Sequence, residues 1–119
     1  MGKGIHRIDS YSFGRIVIDG RTYTSDVIIL PDSVIGNWWR KSGHSLATDD
    51  LGDVFRHSPE LLIVGQGASG IMDVPESTRK AIESKGIKVI AQPTDRAVQT
   101  YNEAAERGEN VAAALHLTC

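Results

Sequence analysis

Residues 61–117 read LLIVGQGASGIMDVPESTRKAIESKGIKVIAQPTDRAVQTYNEAAERGENVAAALHL. Apolar, β-prone blocks at 61–64, 87–91 and 111–117 alternate with helical patterns at 75–85 and 95–107. Alternation of this kind predicts β-α-β-α-β crossovers and parallel strands, because a parallel pair needs a long connection that a helix usually supplies. Pro75 suits the first turn of a helix, and Lys85-Gly86 and Arg107-Gly108 each place a cation and then glycine at a helix end. In the second helix Val98, Tyr101 and Ala105 recur at helical spacing, with Ala97 and Ala104 widening the stripe that packs on the sheet.

Upstream, residues 12–30 read as a hairpin. Residues 13–18 form one strand, Asp19-Gly20 a type I′ turn, and residues 21–30 the returning strand. Val27, Ile28, Ile29 and Leu30 form a continuous apolar run, which marks a central strand covered on both faces before Pro31-Asp32 breaks it. Short strands are expected around Val34-Ile35 and at residues 38–40. Thr48 is the expected N-cap of a short helix lined by Leu51, Val54 and Phe55 and ending before Pro59. The fold expected is therefore mixed α/β: an N-terminal β-hairpin region, then β-α-β-α-β, with helices on a mixed sheet.

At 119 residues the chain is sized for one domain, spanning residues 1–119, with ordinary globular composition: 40% hydrophobic and 24% charged. No apolar run approaches the roughly 20 residues of a membrane-spanning helix, so membrane insertion is not expected. The net charge is −2, with +2 over residues 1–48 and −4 over the rest, and the basic residues are scattered. A nucleic-acid partner is not expected from such a distribution. The opening residues 1–6 lack a signal-peptide core, and the single Cys119 cannot form an internal disulfide, so a cytoplasmic setting is expected. Four histidines without cysteine partners give no structural zinc framework, and neither metal nor cofactor is expected.

Several motifs bear on function. Gly65-Gln66-Gly67-Ala68-Ser69-Gly70 is a G-x-G-x-x-G run directly after a strand, where backbone N–H groups can be aimed at phosphate. Against dinucleotide binding, the next helix starts late, near Pro75, and the motif lies mid-chain. If the three strands are parallel, this loop, Gln92-Pro93-Thr94 and Thr118-Cys119 share the carboxyl edge of the sheet, where ligands of open α/β sheets bind. Gly65, Gln66, Gly67, Ser69 and Thr94 are the candidate ligand-binding residues for a small polar or anionic molecule. His116 and Cys119 do not make a catalytic or metal pair, because residues three apart in a strand face opposite ways. No residue is assigned a catalytic role.

Trp38, Trp39 and Arg40 form the other candidate. Successive aromatics on an extended segment face opposite ways, one inward and one outward, and Trp and Arg are enriched at interface hot spots. The competing reading is a Trp covering a sheet end with Arg stacked on it. His44 is a loop ligand or, more simply, a hydrogen-bonding turn residue; His6 and His57 are expected to be exposed.

Phe13-Gly14, Tyr23-x-x-Asp26, Trp39-Arg40-x-x-Gly43-His44, Gly65-Gln66-Gly67, Tyr101-Asn102 and the ending AALHLTC at 113–119 stand in an order that spans nearly the whole chain. Through them the sequence resembles a small α/β family that includes a mitochondrial respiratory complex I assembly factor, an adipogenesis-associated vertebrate protein and uncharacterised bacterial and archaeal proteins. The resemblance implies a compact mixed α/β domain and, from the mitochondrial member, a role in assembling other proteins. It supplies no catalytic motif. Two functions are therefore expected in competition: a non-enzymatic protein-interaction or assembly-type module, and a small-molecule or anion-binding protein, with or without catalysis, that uses the Gly65–Gly70 crevice. The oligomeric state is not specified by the sequence.

Overall fold

A computed structural model describes residues 6–40 and 44–118. The sequence readings that rest on Lys41, Gly43, Cys119 and the first five residues lie outside these. The strands are β1 (Ile8–Ser12), β2 (Arg15–Ile18), β3 (Arg21–Tyr23), β4 (Val27–Leu30), β5 (Ser33–Ile35), β6 (Leu61–Gln66), β7 (Lys88–Gln92) and β8 (Val111–His116). The helices are α1 (Gly52–His57), preceded by a 3-10 turn at Thr48–Leu51, then α2 (Glu76–Ser84) and α3 (Thr94–Glu106).

The strands make two sheets. A small antiparallel one has the order β1-β2-β3, and a five-stranded mixed one has the order β5-β4-β8-β6-β7. In the larger sheet β6 pairs in parallel with both β7 and β8, as the alternation of residues 61–117 predicts, and β4 runs antiparallel to β8. The chain leaves β6 for β7 on one side and then returns across it to β8. The two crossover helices consequently lie on opposite faces.

Both faces are apolar. On one, Tyr101, Ala97, Ala104 and Ala105 of α3, together with Ile16 and Ile18 of β2, pack with Val27, Ile29, Ile63, Ala113 and Leu115. On the other, Leu51, Val54 and Ile82 pack with Ile28, Leu30, Leu62, Val64, Ala112 and Ala114. This is why β4, β6 and β8 read as continuous apolar runs rather than alternating ones. Ile16 and Ile18 are fully buried and contribute about 1.5–3 kcal/mol each by leaving water, so the small sheet is part of the core.

The turn at Asp19-Gly20 has φ of 53° and 79°, the two left-handed residues that a type I′ hairpin requires, with Ile18 paired to Arg21 across it. Gly86 and Gly108 end α2 and α3 at φ of 79° and 80°. Other boundaries differ from the sequence reading. Residues 21–30 are two strands in two sheets, because the chain turns at Thr24–Asp26 to bring Asp26 under β8. Residues 13–18 are not one strand: Phe13-Gly14 is the turn between β1 and β2, with Gly14 at φ 74°. Strand β1 has little signature in the sequence, since Ile8–Ser12 carries one buried residue. Residues 38–40 are not a strand either, because Asn37 takes φ 52°, held by Ser25, whose Oγ accepts the Asn37 N–H and donates to Asn37 Oδ1. Thr48 does not cap its helix; Ala47 is the cap residue, and its N–H donates to the Asp50 carboxylate at 2.9 Å.

Candidate functional site

At the carboxyl edge of the parallel strands the glycine loop, the start of α3 and the end of β8 meet. Gly67 N–H donates to Thr94 Oγ1 at 2.8 Å, Thr94 Oγ1 donates to the His116 carbonyl at 2.6 Å, and Thr94 N–H donates to the Gly67 carbonyl at 3.0 Å. Gly67 sits at φ 95°, and a Cβ there would stand 2.5 Å from the Thr118 carbonyl oxygen and 2.9 Å from His116 Cδ2. Gly65 is equally confined, since a Cβ would meet Thr94 Oγ1 at 2.8 Å and Leu115 Cδ2 at 2.9 Å. These glycines allow three segments to close on one another.

The same contacts change what the loop can offer a ligand. Gly67 N–H goes to Thr94, Ala68 N–H to the Thr118 carbonyl and Gly70 N–H to the Gly67 carbonyl. The Gln66 side chain donates to the Met72 carbonyl at 2.9 Å, and Thr94 is fully buried. Of the five candidate ligand residues, four are therefore engaged in holding the edge together, while Ser69 is exposed. A phosphate cradle needs several N–H groups aimed outward; here three of them point into the protein.

Beside this edge lies a charged cluster that the spacing of the sequence does not reveal. Asp26, just before β4, receives three donors. Arg40 Nη1 reaches Asp26 Oδ2 at 2.8 Å, His116 Nδ1 the same oxygen at 2.8 Å, and Leu117 N–H reaches Oδ1 at 2.8 Å. Arg40 Nη2 is also 3.0 Å from His116 Nδ1. A proton on Nδ1 gives the carboxylate a donor, and Arg40 Nη2 then lies beside that nitrogen without donating to it. Burial alone would raise the Asp26 pKa, but the Leu117 N–H, His116 and Arg40 outweigh it and hold the carboxyl below its ordinary value. The His44 and His116 rings meet edge to face at 6.2 Å.

Arg40 is thus turned inward rather than onto a surface. Its side chain is 5% exposed, and its guanidinium lies 4.8 Å from the centre of the Trp38 ring. Trp38 is 8% exposed, and its indole N–H donates to the Asp50 carbonyl at 2.9 Å. Trp39, the next residue, is 76% exposed. The arrangement at Trp38 and Arg40 is the stacked cap weighed as the alternative, and Arg40 leaves the proposed partner surface because Asp26 and His116 hold it inside. Trp39 keeps its outward position. His57 is exposed, but His6 is largely covered, with Nδ1 2.6 Å from Asp19 Oδ2. Among the described residues no three of His, Cys, Asp and Glu are grouped to hold a metal ion, and no helix is long and apolar enough to cross a membrane.

Residues 8–116 match the family described as protein of unknown function DUF498/DUF598. The chain belongs to this family. Several solved structures share its fold over most of their length. A protein from Bartonella henselae, described as an outer membrane protein, is 25% identical with a TM-score of 0.82, covering 94% of each chain. The Rpa2829 protein of Rhodopseudomonas palustris is 30% identical with a TM-score of 0.75, covering 92% of this chain and 81% of its own. A Mth938-like domain from Bordetella pertussis, 18% identical with a TM-score of 0.78 over 96% of this chain and 87% of its own, shares the fold.

Only a resemblance joins Asp26, Arg40, His44 and His116 in the sequence, because each stands in a motif quoted for it. Nothing in their spacing could bring them together: 90 residues separate Asp26 from His116 and 76 separate Arg40 from His116. The available signal was chemical. Asp26 precedes a run of four buried residues, and His116 ends another run of buried residues, so both are polar groups at the ends of central strands.

Proposed function

We propose that this DUF498/DUF598 protein is a non-enzymatic protein-interaction module of the assembly-factor type, docking at the end of β8 with Trp39 as its anchor. One observation carries the reading. The large hydrophobics that stand exposed among the described residues are Phe13, Trp39 and Ile71, and each lies within three residues of a contact to the segment 116–118. Phe13 adjoins Gly14, whose N–H donates to the Leu117 carbonyl; Trp39 adjoins Arg40, beside His116; Ile71 closes the loop in which Ala68 N–H donates to the Thr118 carbonyl. Exposed large apolar groups carried by segments that meet at one edge are candidates for an interaction surface. The buried Asp26–Arg40–His116 cluster then serves as the rigid floor that fixes the Trp38-Trp39 turn. The resemblance to a respiratory complex I assembly factor agrees with this role, and a cytoplasmic setting belongs to the same proposal.

The test separates docking from folding. Trp39→Ser, Phe13→Ser and Ile71→Ser should each leave the unfolding free energy from urea titration within about 0.5 kcal/mol of the parent, as surface changes do, while reducing capture of a partner in affinity purification. Trp38→Ala should instead unfold the protein at lower urea. Retention of every captured protein by the triple surface variant would sink the proposal.

A further inference from the structure

Beside the turn at Asp19-Gly20 opens a cleft of about 280 Å3, lined by His6, Ile18, Asp19, Arg21, Tyr23 and Val34. It lies between β3, an edge strand of the small sheet, and β5, an edge strand of the large one. Arg21 is paired across the hairpin with Ile18, and Tyr23 with Ile16. Residues opposed in this way share a face of the sheet, so Arg21 and Tyr23 stand on the face that Ile16 and Ile18 turn to the core. The Arg21 guanidinium and the Tyr23 hydroxyl make no hydrogen bond or ion pair to the described residues. The Asp19 carboxylate, by contrast, is engaged at both oxygens: Oδ2 stands 2.6 Å from His6 Nδ1, and Oδ1 accepts the Arg7 N–H at 2.8 Å. Ile18 is fully buried, and Val34 and the Tyr23 ring are half-buried against the same core. The cleft therefore sets open donors beside apolar surface, while its one carboxylate is already partnered.

We propose that this cleft binds a small organic acid, its carboxylate held by Arg21 and Tyr23 and its apolar body laid on Ile18, Val34 and the Tyr23 ring. None of the lining residues belongs to the edge at 116–118, so this is a second site, independent of the docking role of Trp39. A guanidinium presents paired donors at the spacing of two carboxylate oxygens, and the phenol adds a third. A carboxamide supplies one acceptor where the fork has two donors, and a cationic ligand meets Arg21 as a like charge. Inorganic phosphate brings its charge toward Asp19 and nothing to cover Ile18 and Val34. Small-molecule sites combine an apolar lining with a few placed polar groups, and their volumes run from roughly 300 to 1,000 Å3, so a cleft of about 280 Å3 selects a small acid. An inward charge on an edge strand also deters pairing with other chains, but that role requires neither Tyr23 nor a cleft.

The full chain, isotope-labelled, is titrated with phenylacetate, phenylacetamide, inorganic phosphate and N-acetylphenylalanine and followed by its amide resonances. Phenylacetate should shift the amides of Ile18, Arg21, Tyr23 and Val34 and bind about tenfold more tightly than phenylacetamide, because hydrogen bonds to a charged acceptor are the stronger ones. Arg21→Gln, a change at an exposed position that leaves the rest of the amide spectrum in place, should erase that preference, and Tyr23→Phe should reduce it. Phosphate should leave these amides unmoved. Equal binding of acid and amide, or a preference for the acid that survives Arg21→Gln, overturns the proposal, as does the absence of shifts with phenylacetate at millimolar concentration. Phosphate shifting the same amides as strongly as phenylacetate overturns the apolar body. Tighter binding of N-acetylphenylalanine than of phenylacetate assigns the site to the carboxyl end of a peptide and overturns the free acid.

Discussion

Asp26→Asn is the sharpest perturbation of the buried cluster, because it removes a charge while nearly conserving shape. The carboxylate accepts from Arg40, His116 and the Leu117 N–H, all at 2.8 Å. An asparagine can keep one acceptor, and whichever way its amide turns, an NH2 group then faces a donor. If the oxygen stays on Leu117 N–H, the NH2 meets the guanidinium of Arg40, whose side chain is 5% exposed. Breaking a buried ion pair by removing one partner costs about 3–5 kcal/mol, chiefly because the other charge is left uncompensated. That is a large share of the roughly 5–15 kcal/mol by which a domain is stable. With a urea slope of about 2 kcal/mol per molar, the midpoint should fall by about 2 M. Adding Arg40→Met to Asp26→Asn removes the stranded cation, so the double variant should be more stable than the sum of the single losses predicts, by at least about 1 kcal/mol. An Asp26→Asn midpoint indistinguishable from the parent, or strict additivity in the cycle, would refute the cluster as described.

The remaining expectations concern the same edge and the N-terminal sheet. Asp26 and Asp19 both have folded pKa values held below the ordinary 3.8; burial opposes this, but hydrogen bonds from Leu117, His116 and Arg40 in one case, and from His6 and Arg7 in the other, prevail. A depressed carboxyl stabilises the fold fully above its unfolded pKa and loses that contribution as pH falls through the folded value. Urea midpoints should therefore decline on acidification below about pH 4, and Asp26→Asn should flatten that decline. Gly67→Ala should cost more than Gly20→Ala. Both are at positive φ, but a Cβ at Gly67 meets the Thr118 carbonyl oxygen at 2.5 Å, whereas at Gly20 nothing lies within 4 Å, leaving a conformational cost of about 1 kcal/mol. Equal midpoints would contradict the packed edge. Asn102→Ala should free β1, because the Asn102 amide both accepts from Ile8 N–H and donates to its carbonyl at 2.9 Å, and hydrogen exchange at Ile8 should accelerate. Inorganic phosphate should leave the melting temperature unchanged, since the N–H groups of Gly67, Ala68 and Gly70 donate internally. A rise with phosphate would revive the small-anion reading.

The parts of this fold legible in the sequence are those fixed by local chemistry. Asp19-Gly20 announces its turn, the glycines at 86 and 108 end their helices, and the alternation of residues 61–117 yields parallel strands, which in turn gather Gly67, Thr94 and Thr118 at one edge. Where a boundary depends on a distant partner, local patterns fail. Residues 21–30 look like one strand, yet the chain breaks so that Asp26 can meet Arg40 and His116. Trp38–Arg40 looks extended, but Asn37 adopts φ 52° and the next three side chains are placed by Asp50, solvent and Asp26 respectively. The glycine loop depends on distant partners too: its spacing suits a phosphate cradle, whereas the N–H groups of Gly67, Ala68 and Gly70 donate internally in close packing that only the folded edge reveals.

Anchoring of a protein partner by Trp39 is open to direct measurement. Photocrosslinking in the native cell from a benzophenone amino acid placed at Arg56, an exposed position lining the same groove as Trp39, reports on it. A defined protein adduct should form and should disappear when Trp39→Ala is added, although that variant stays folded. Absence of any adduct, or an adduct equally strong without the indole, would contradict the anchoring.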